Sequence, residues 1–535
     1  MNTSSDEKPE RSGDTSGVAR RSVLKASAVT AAVAGASMLL PGTASAHDRG
    51  VDHGSGPRDS GRPGRRYVIK GGSVMSMDPA VGNFAVADVL VEGTKIVAVR
   101  PNINAAGASV IDARGRIVMP GFVDTHHHLF ETSQRAFLAN GLLVDDNSGS
   151  PSADPDYTEY ILQRFSPVYR PQDVYINELF AGLSQLDAGV TTVLDVSQIH
   201  HSPEHSDAAI RALRDTGRRS AFGYFEGDGR ASARYPRDAY RLREQYFSSD
   251  DQLLTMVMGG EIYITEEMYS ESWKIARELD LQIAAHIVSG WGTRLIVDDI
   301  ARGTGGTNND LGFGPDNLLI HMTGMSDMAW QRARDAGAQV SVAFPIEMNM
   351  RHGVPPILKM QELGMEPSLS SDVETTMTAD PFTQMRSAMT MQRMVVNQQI
   401  LEQGDFTPPN QWPTPAPGTP ELLTVRDVLR FGTINGAKHL RLDHKTGSLT
   451  PGKEADIVLL DATALNVAPL NSVPGAVVSL MERSNVETVI VAGKVRKWRG
   501  RLLDANLDRL RRELETSRDY LFRGAGLRQD LFGWS

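Results

Sequence analysis

The 535-residue sequence contains no cysteine. Disulfides, thiolate-ligated zinc, iron–sulfur clusters and thiol catalysis are therefore excluded, and any metal must be held by His, Asp or Glu. Positive charge is also scarce: 55 Lys and Arg stand against 65 Asp and Glu, a formal charge of −10. A dedicated nucleic-acid binder needs a basic surface to neutralise phosphates, so that partner is excluded. No apolar run has membrane length. The stretch at 26–40 has 15 residues, against roughly 20 for a span, so no stable membrane anchor is expected. Phosphate-binding loops, dinucleotide fingerprints and a Ser-His-Asp arrangement are missing too. With 40% hydrophobic and 22% charged residues, the composition is still that of a globular chain.

The short apolar run follows Arg20-Arg21-Ser22-Val23-Leu24-Lys25 and precedes Ala44-Ser45-Ala46. A basic segment, a short apolar stretch and a small-residue cleavage site make a signal peptide, and the paired arginines mark the twin-arginine route. Residues 1–46 are expected to be removed after export by the twin-arginine machinery. The mature chain then starts at His47, secreted or in the cell envelope or periplasm. Residues 47–65 are rich in Gly, Arg, Asp and Pro without a hydrophobic period. They read as a flexible linker in which His47 and His53 have no role.

Short β patterns follow at Tyr67-Val68-Ile69, at 87–91 and at 95–99, with Glu92-Gly93 as a hairpin turn. Residues 455–460 and 486–491 read the same way. Segments 66–117 and 445–500 are thus expected to build one small β-sandwich domain from both ends of the mature chain. Between them, 118–444 alternates strand and helix, the α/β pattern of a (β/α)8 TIM-like barrel. Strands are predicted at 117–125, 189–196, 220–225, 253–258, 281–286, 317–321, 339–344 and 368–372, with helices such as 206–216, 267–278 and 326–336. Residues 501–535 hold an amphipathic docking helix. The segment 408–420, with six prolines, is a surface loop. The acidic, Gly/Ser/Pro-rich segment 140–157 follows the first barrel strand and is expected to act as a lid or specificity loop.

Chemistry concentrates at Val118-Met119-Pro120-Gly121-Phe122-Val123-Asp124-Thr125-His126-His127-His128. Residues two apart on a strand face the same way, so His126 and His128 project together while His127 opposes them. Two imidazoles at a strand end are half of a divalent metal site. His286, His321 and Asp372 each end a later predicted strand, and barrel enzymes place their chemistry on that rim.

These residues resemble those of the amidohydrolase superfamily, in its branch of chlorotriazine hydrolases and adenosine- and guanine-type deaminases. The resemblance spans about 66–495. It rests on 120–128, on Ala188-Gly189-Val190-Thr191-Thr192-Val193, on Thr433-Ile434-Asn435-Gly436-Ala437, and on Gly447-Ser448-Leu449-Thr450-Pro451-Gly452-Lys453-Glu454-Ala455-Asp456. It implies that His126, His128, His286 and Asp372 ligate one divalent metal, with His321 beside the reacting water or substrate. Binuclear relatives use a lysine on the fourth strand. Residues 253–261 contain none, which favours a single ion. The donor set suits Zn²⁺, with Fe²⁺ or Mn²⁺ as alternatives. Asp372 is the natural proton acceptor, and the resemblance suggests a homo-oligomer.

One departure matters. The family carries a proton-shuttling glutamate three residues after the fifth-strand histidine, where this chain has Ser289. A hydroxyl is no comparable acid. Glu347, just past the seventh strand, is the candidate replacement, and Asp372, His321 and Glu347 are the expected catalytic set. His200, His201, His205 and His352 are weaker candidates. The leading function is an exported metal-dependent hydrolase attacking a C–N or similar leaving-group bond of a small, cyclic molecule. The alternative is a lyase, isomerase or cyclase on the same fold, tailoring a secondary metabolite.

Overall fold

The computed structural model describes residues 56–57, 59–145, 156–227, 234–263, 266–290, 293–303, 311–404 and 412–532. The expected signal segment, most of the expected linker, and the first part of the proline loop lie outside these residues, as do 146–155 of the expected lid.

Eight strands form a parallel sheet in chain order: β1 (Phe122–His127), β2 (Val190–Ser197), β3 (Arg219–Tyr224), β4 (Leu254–Gly259), β5 (Gln282–Ile287), β6 (Asn317–His321), β7 (Gln339–Val342) and β8 (Ser368–Leu369). A helix follows each strand, from Pro171–Asp187 after β1 to Pro381–Gln403 after β8. Helices on the outside and side chains within bury both faces of the sheet, so the strands read as apolar runs rather than alternating ones. Almost every residue of β1 to β6 is buried.

The ring closes between β8 and β1, and it does so at the chemically dense residues. His127 and Asp372 form a parallel bridge. The His128 amide donates to the Asp372 carbonyl at 2.8 Å, and the Asp372 amide to the His126 carbonyl at 3.0 Å. Asp124 braces the same seam, accepting from the Ser371 amide at 3.1 Å, from the Ser371 hydroxyl, and from Gln185 Nε2 at 2.7 Å.

The second sheet is mixed and has nine strands. Its order is Arg501–Leu502, Lys494–Trp498, Val486–Val491, Ile457–Asp461, Arg116–Pro120, Arg66–Met75, Asn83–Glu92 and Lys95–Arg100, with Ser109–Asp112 also beside Arg66–Met75. Tyr67, Ile69, Val89, Val118, Leu459 and Ile490 belong to its own apolar core. The predicted strand 117–125 is in fact two strands. Arg116–Pro120 pairs with Ile457–Asp461 in the mixed sheet, and β1 begins after Gly121. Both halves are fully buried, so the hydrophobic pattern carries no break. Gly121 makes the crossing: a Cβ there would lie 2.2 Å from Thr191.

Arg219, at the start of β3, ties the sheets together. Its guanidinium donates to Asp456 at 2.9 Å and to Glu454 at 2.6 Å. The Glu454-Ala455-Asp456 motif thus meets the barrel through a buried ion pair. Two predicted strands shorten: β7 gives way to the helix Phe344–Asn349, and β8 ends at Leu369. The tail helix runs Leu507–Gly524; Ser517 donates to Asp173 at 2.8 Å, and Phe522 packs edge-on against Phe137 and Phe165. Among the described residues no helix is long and apolar enough to cross a membrane.

Candidate metal centre and catalytic cavity

The carboxyl ends of β1, β5 and β6 and the turn after β8 bring His126, His128, His286, His321 and Asp372 together. Two overlapping sets, His126–His128–His286 and His126–His321–Asp372, each hold their ligand atoms within 4.8 Å of one another. His126 Nε2 lies 3.0 Å from Asp372 Oδ1, His128 Nε2 lies 3.6 Å from the same oxygen, and His321 Nε2 lies 3.6 Å from Oδ2. His321 and Asp372 adopt left-handed backbone angles, φ 69° and 59°. Such conformations cost about 1–3 kcal/mol each and cluster where a site requires them.

Electrostatics favour a cation here. Burial pushes the His126 imidazole down to about 3 and His321 down to about 4, and holds His128 well below its ordinary value. All three are therefore neutral electron-pair donors near pH 7. Burial alone would raise Asp372, but the surrounding rings of His126, His321 and His128 outweigh it and hold its carboxyl well below the usual range. Its Oδ2 is buried without a hydrogen-bond partner among the described residues. Neutral imidazoles, one carboxylate and an orphaned oxygen fit a divalent metal.

Two histidines are pinned from behind by glutamates. Glu261, two residues past β4, accepts from His286 Nδ1 and, at 3.1 Å, from the His286 amide. Burial disfavours the charged ring, yet Glu261 outweighs it and raises the proton affinity of His286. A carboxylate behind an imidazole fixes its orientation and strengthens the opposite nitrogen as a donor to metal. Glu347 orients His321, with Oε1 2.9 Å from Nδ1, although burial holds its own carboxyl well above the ordinary value. This corrects the expectation for Glu347. It is fully buried, also accepts from the Ala343 amide at 3.0 Å, and is not part of the cavity wall. The short helix that replaces the end of the predicted seventh strand turns Glu347 back toward His321, so it positions that ring instead of meeting substrate.

A cavity of about 270 Å³ includes His128, His286, His321 and Asp372 in its lining, with Leu143, Leu162, Val288, Met350 and Val373 making much of the remainder apolar. Leu143 and Tyr157, at the described ends of the expected lid, both line it; the Leu143 amide donates to the Met350 carbonyl at 3.1 Å. Thr158, Leu162 and Gln163 reach the cavity from a π-helix, Thr158–Phe165, whose wide turn is a recurrent feature of functional sites. His352 also lines the cavity, 4.8 Å edge-on from His321, and burial pushes it down to about 3. Ser289 is exposed and absent from the lining.

Sequence reading missed two further pairs. The Tyr157 hydroxyl donates to buried Glu131, and the Tyr263 hydroxyl donates to buried Glu226 at 2.6 Å; both phenols line the cavity. Glu226 and Glu261 each follow a barrel strand, the same positional signal that singled out the histidines. His200, His201 and His205 are occupied elsewhere: His200 with the Ser197 carbonyl and Ser206, His201 with the Ser166 carbonyl, His205 with Ser202 and the Tyr169 carbonyl.

Comparison with known proteins agrees with this fold. A model of the amidohydrolase family matches residues 117–496. A 5'-deoxyadenosine deaminase of Methanosarcina acetivorans is 25% identical over 468 residues, covering 85% of this chain and 98% of that protein. A 5-methylthioadenosine/S-adenosylhomocysteine deaminase of Thermococcus kodakarensis is 26% identical over 423 residues, covering 76% and 89%. In fold, the chain is similar to a zinc-bound adenosine deaminase of Xanthomonas campestris, with TM-score 0.69 and 21% identity over 86% of this chain and 99% of that one. It is equally similar to a variant of the atrazine chlorohydrolase of Arthrobacter aurescens complexed with zinc and atraton, with TM-score 0.69 and 20% identity over 84% and 100%.

Proposed function

Since this chain belongs to the amidohydrolase family, we propose that it is a metal-dependent hydrolase that uses water to displace an amino or comparable group from a small heterocycle. The observation that carries this reading is the convergence of four histidines and Asp372 at one end of the barrel, with two of the rings braced by buried glutamates. His126, His128, His286 and Asp372 would hold a single divalent ion, zinc by analogy with the similar structures. When bound, such an ion supplies Lewis acidity and lowers the pKa of water to about 7.

The chain's own residues do the rest. Asp372, ionised and with one oxygen unpartnered among the described residues, would take the proton of the attacking water. His321, neutral and oriented by Glu347, presents Nε2 on the cavity side. The apolar lining, with Tyr157 and Tyr263 beside it, suits a flat, weakly polar ring and excludes water from it. The names of the relatives make adenosine analogues and triazines the first compounds to try.

The test is zinc-loaded protein incubated in ¹⁸O water with 5'-deoxyadenosine, 5'-methylthioadenosine, S-adenosylhomocysteine and amino- or chloro-triazines. Release of the amine or chloride with solvent oxygen in the product is expected. Turnover without oxygen incorporation would instead favour the lyase or isomerase reading, which the exposed Ser289 keeps in view. The twin-arginine segment adds a proposal of its own, that this hydrolase works outside the cytoplasm.

A further inference from the structure

Displacing an amine from a ring carbon needs a proton for the departing nitrogen, and the serine at 289 cannot supply it. The supply must come from the cavity wall. Tyr263 stands on that wall with His286 and Val288, four residues beyond β4, the strand paired directly with β5. Its hydroxyl is 2.6 Å from Glu226 Oε1, and Glu226, two residues beyond β3, is itself 1% exposed. The other oxygen, Oε2, has no hydrogen-bond partner among the described residues. Phenol and carboxyl thus form a short wire leading from the barrel interior to the cavity.

Resting on the hydrolytic reading above, we propose that Tyr263, backed by Glu226, is the proton donor to the leaving group and takes the place of the glutamate missing at 289. As water's oxygen bonds to the ring carbon, its proton passes to Asp372. The carbon–nitrogen bond breaks with its electron pair going to nitrogen. With substrate bound, the Tyr263 hydroxyl turns from Glu226 Oε1 toward the departing nitrogen and accepts instead from a proton on that oxygen; the nitrogen takes the Tyr263 proton and Tyr263 takes the Glu226 proton in the same movement, so no free phenolate is left. Glu226 and Asp372 return to their starting states by exchange with solvent once product leaves. Burial, reinforced by the nearby Glu261 carboxylate, raises Glu226 above the ordinary carboxyl range, which keeps it protonated for this task.

The dyad formed by Tyr157 and Glu131 is the rival. Tyr157 leans edge-on against His128, ring centroids 6.2 Å apart. That contact supports a metal ligand, whereas Tyr263 stands beside the strand that lacks its acid.

Leaving-group dependence tests the proposal. Chloride departs without a proton, so a lost acid penalises the amine substrate selectively. With zinc-loaded protein, Tyr263→Phe should lower kcat for 5'-deoxyadenosine by ~10²–10⁴ and for its 6-chloropurine counterpart by less than about tenfold. Equal losses on both compounds, or a selective amine loss in Tyr157→Phe instead, would overturn the assignment. Glu226→Gln should remove the alkaline limb of the amine pH profile, because the acid acts only below its pKa; an unchanged profile would overturn the role of Glu226. A substrate-free measurement separates the proposal from the hydrolytic reading. Infrared difference spectra of zinc-loaded wild type against Glu226→Gln at pH 7 should show a protonated carboxyl band. An ionised Glu226 has no proton to pass, and that result would overturn the proposal whatever substrates are found. The band without turnover of any test compound would count against the hydrolytic reading alone.

Discussion

Replacing Glu261 by glutamine tests whether the carboxylate behind His286 sustains metal binding. Glu261 is fully buried and accepts two hydrogen bonds from one residue, through Oε1 from Nδ1 and through Oε2 from the amide. Glutamine keeps the volume, so no cavity arises, but it offers only one oxygen. Its NH₂ must then face one of the two His286 donors. A buried donor left without an acceptor costs about 1–3 kcal/mol. Loss of the charge also weakens the opposite ring nitrogen as an electron-pair donor. Removing such a supporting group typically lowers metal affinity 10–100-fold, or roughly 1.4–2.7 kcal/mol. Competition with a chromophoric zinc chelator would read this directly. Circular dichroism would verify that the variant is folded. A folded Glu261→Gln protein with wild-type zinc affinity would refute the reasoning, since His286 would then need no partner to serve as a ligand.

Elemental analysis should find one divalent ion per chain. Asp372→Ala or His126→Ala should lose most of it, and two ions per chain or undiminished content would contradict the single-site assignment. Asp456→Ala leaves Arg219, whose side chain is 1% exposed, with Glu454 as its remaining carboxylate partner and one buried donor unpaired; urea denaturation should show a loss of about 1–3 kcal/mol. Gly121→Ala should lower the melting temperature, because its Cβ would overlap Thr191. Changing Arg20-Arg21 to Lys-Lys should leave the protein folded in the cytoplasm, as cell fractionation would show; continued export would mean another route.

The sequence made some parts of this molecule far easier to read than others. His126 and His128 were legible because strand alternation fixes which residues project together, and a strand end announces itself by its apolar run. Asp372 and His321 were legible for the same positional reason, although their left-handed backbones were not. The division at Gly121 was hidden because a strand buried in one sheet and a strand buried in the next have the same hydrophobic text. The carboxylates behind the rings were hidden more deeply. Glu261 reaches His286 across neighbouring strands, and Glu347 reaches His321 from a helix one strand further on. Their roles depend on rotamers and on register, neither of which a linear pattern contains. Glu347 shows the risk: its position past a strand suggested contact with substrate, but one helical turn redirects it to the ring behind.

The seam between β8 and β1 has a consequence for how the protein is assembled. His126 and Asp372 are 246 residues apart in sequence, yet the hydrogen bonds that join their backbones also complete the ligand set. A chain folded only through its first seven strands has no Asp372 beside its histidines and therefore only part of a site. Bringing such distant segments together is entropically costly, and an ion gripped from both sides would act as a clasp on the finished ring. Binding the closed form alone, it would shift the opening equilibrium by mass action. Amide exchange at His128 and Asp372 should therefore slow on zinc addition more than exchange at the β3–β4 pairing on the far side of the barrel. Occupancy of the site becomes a readout of whether the ring has shut.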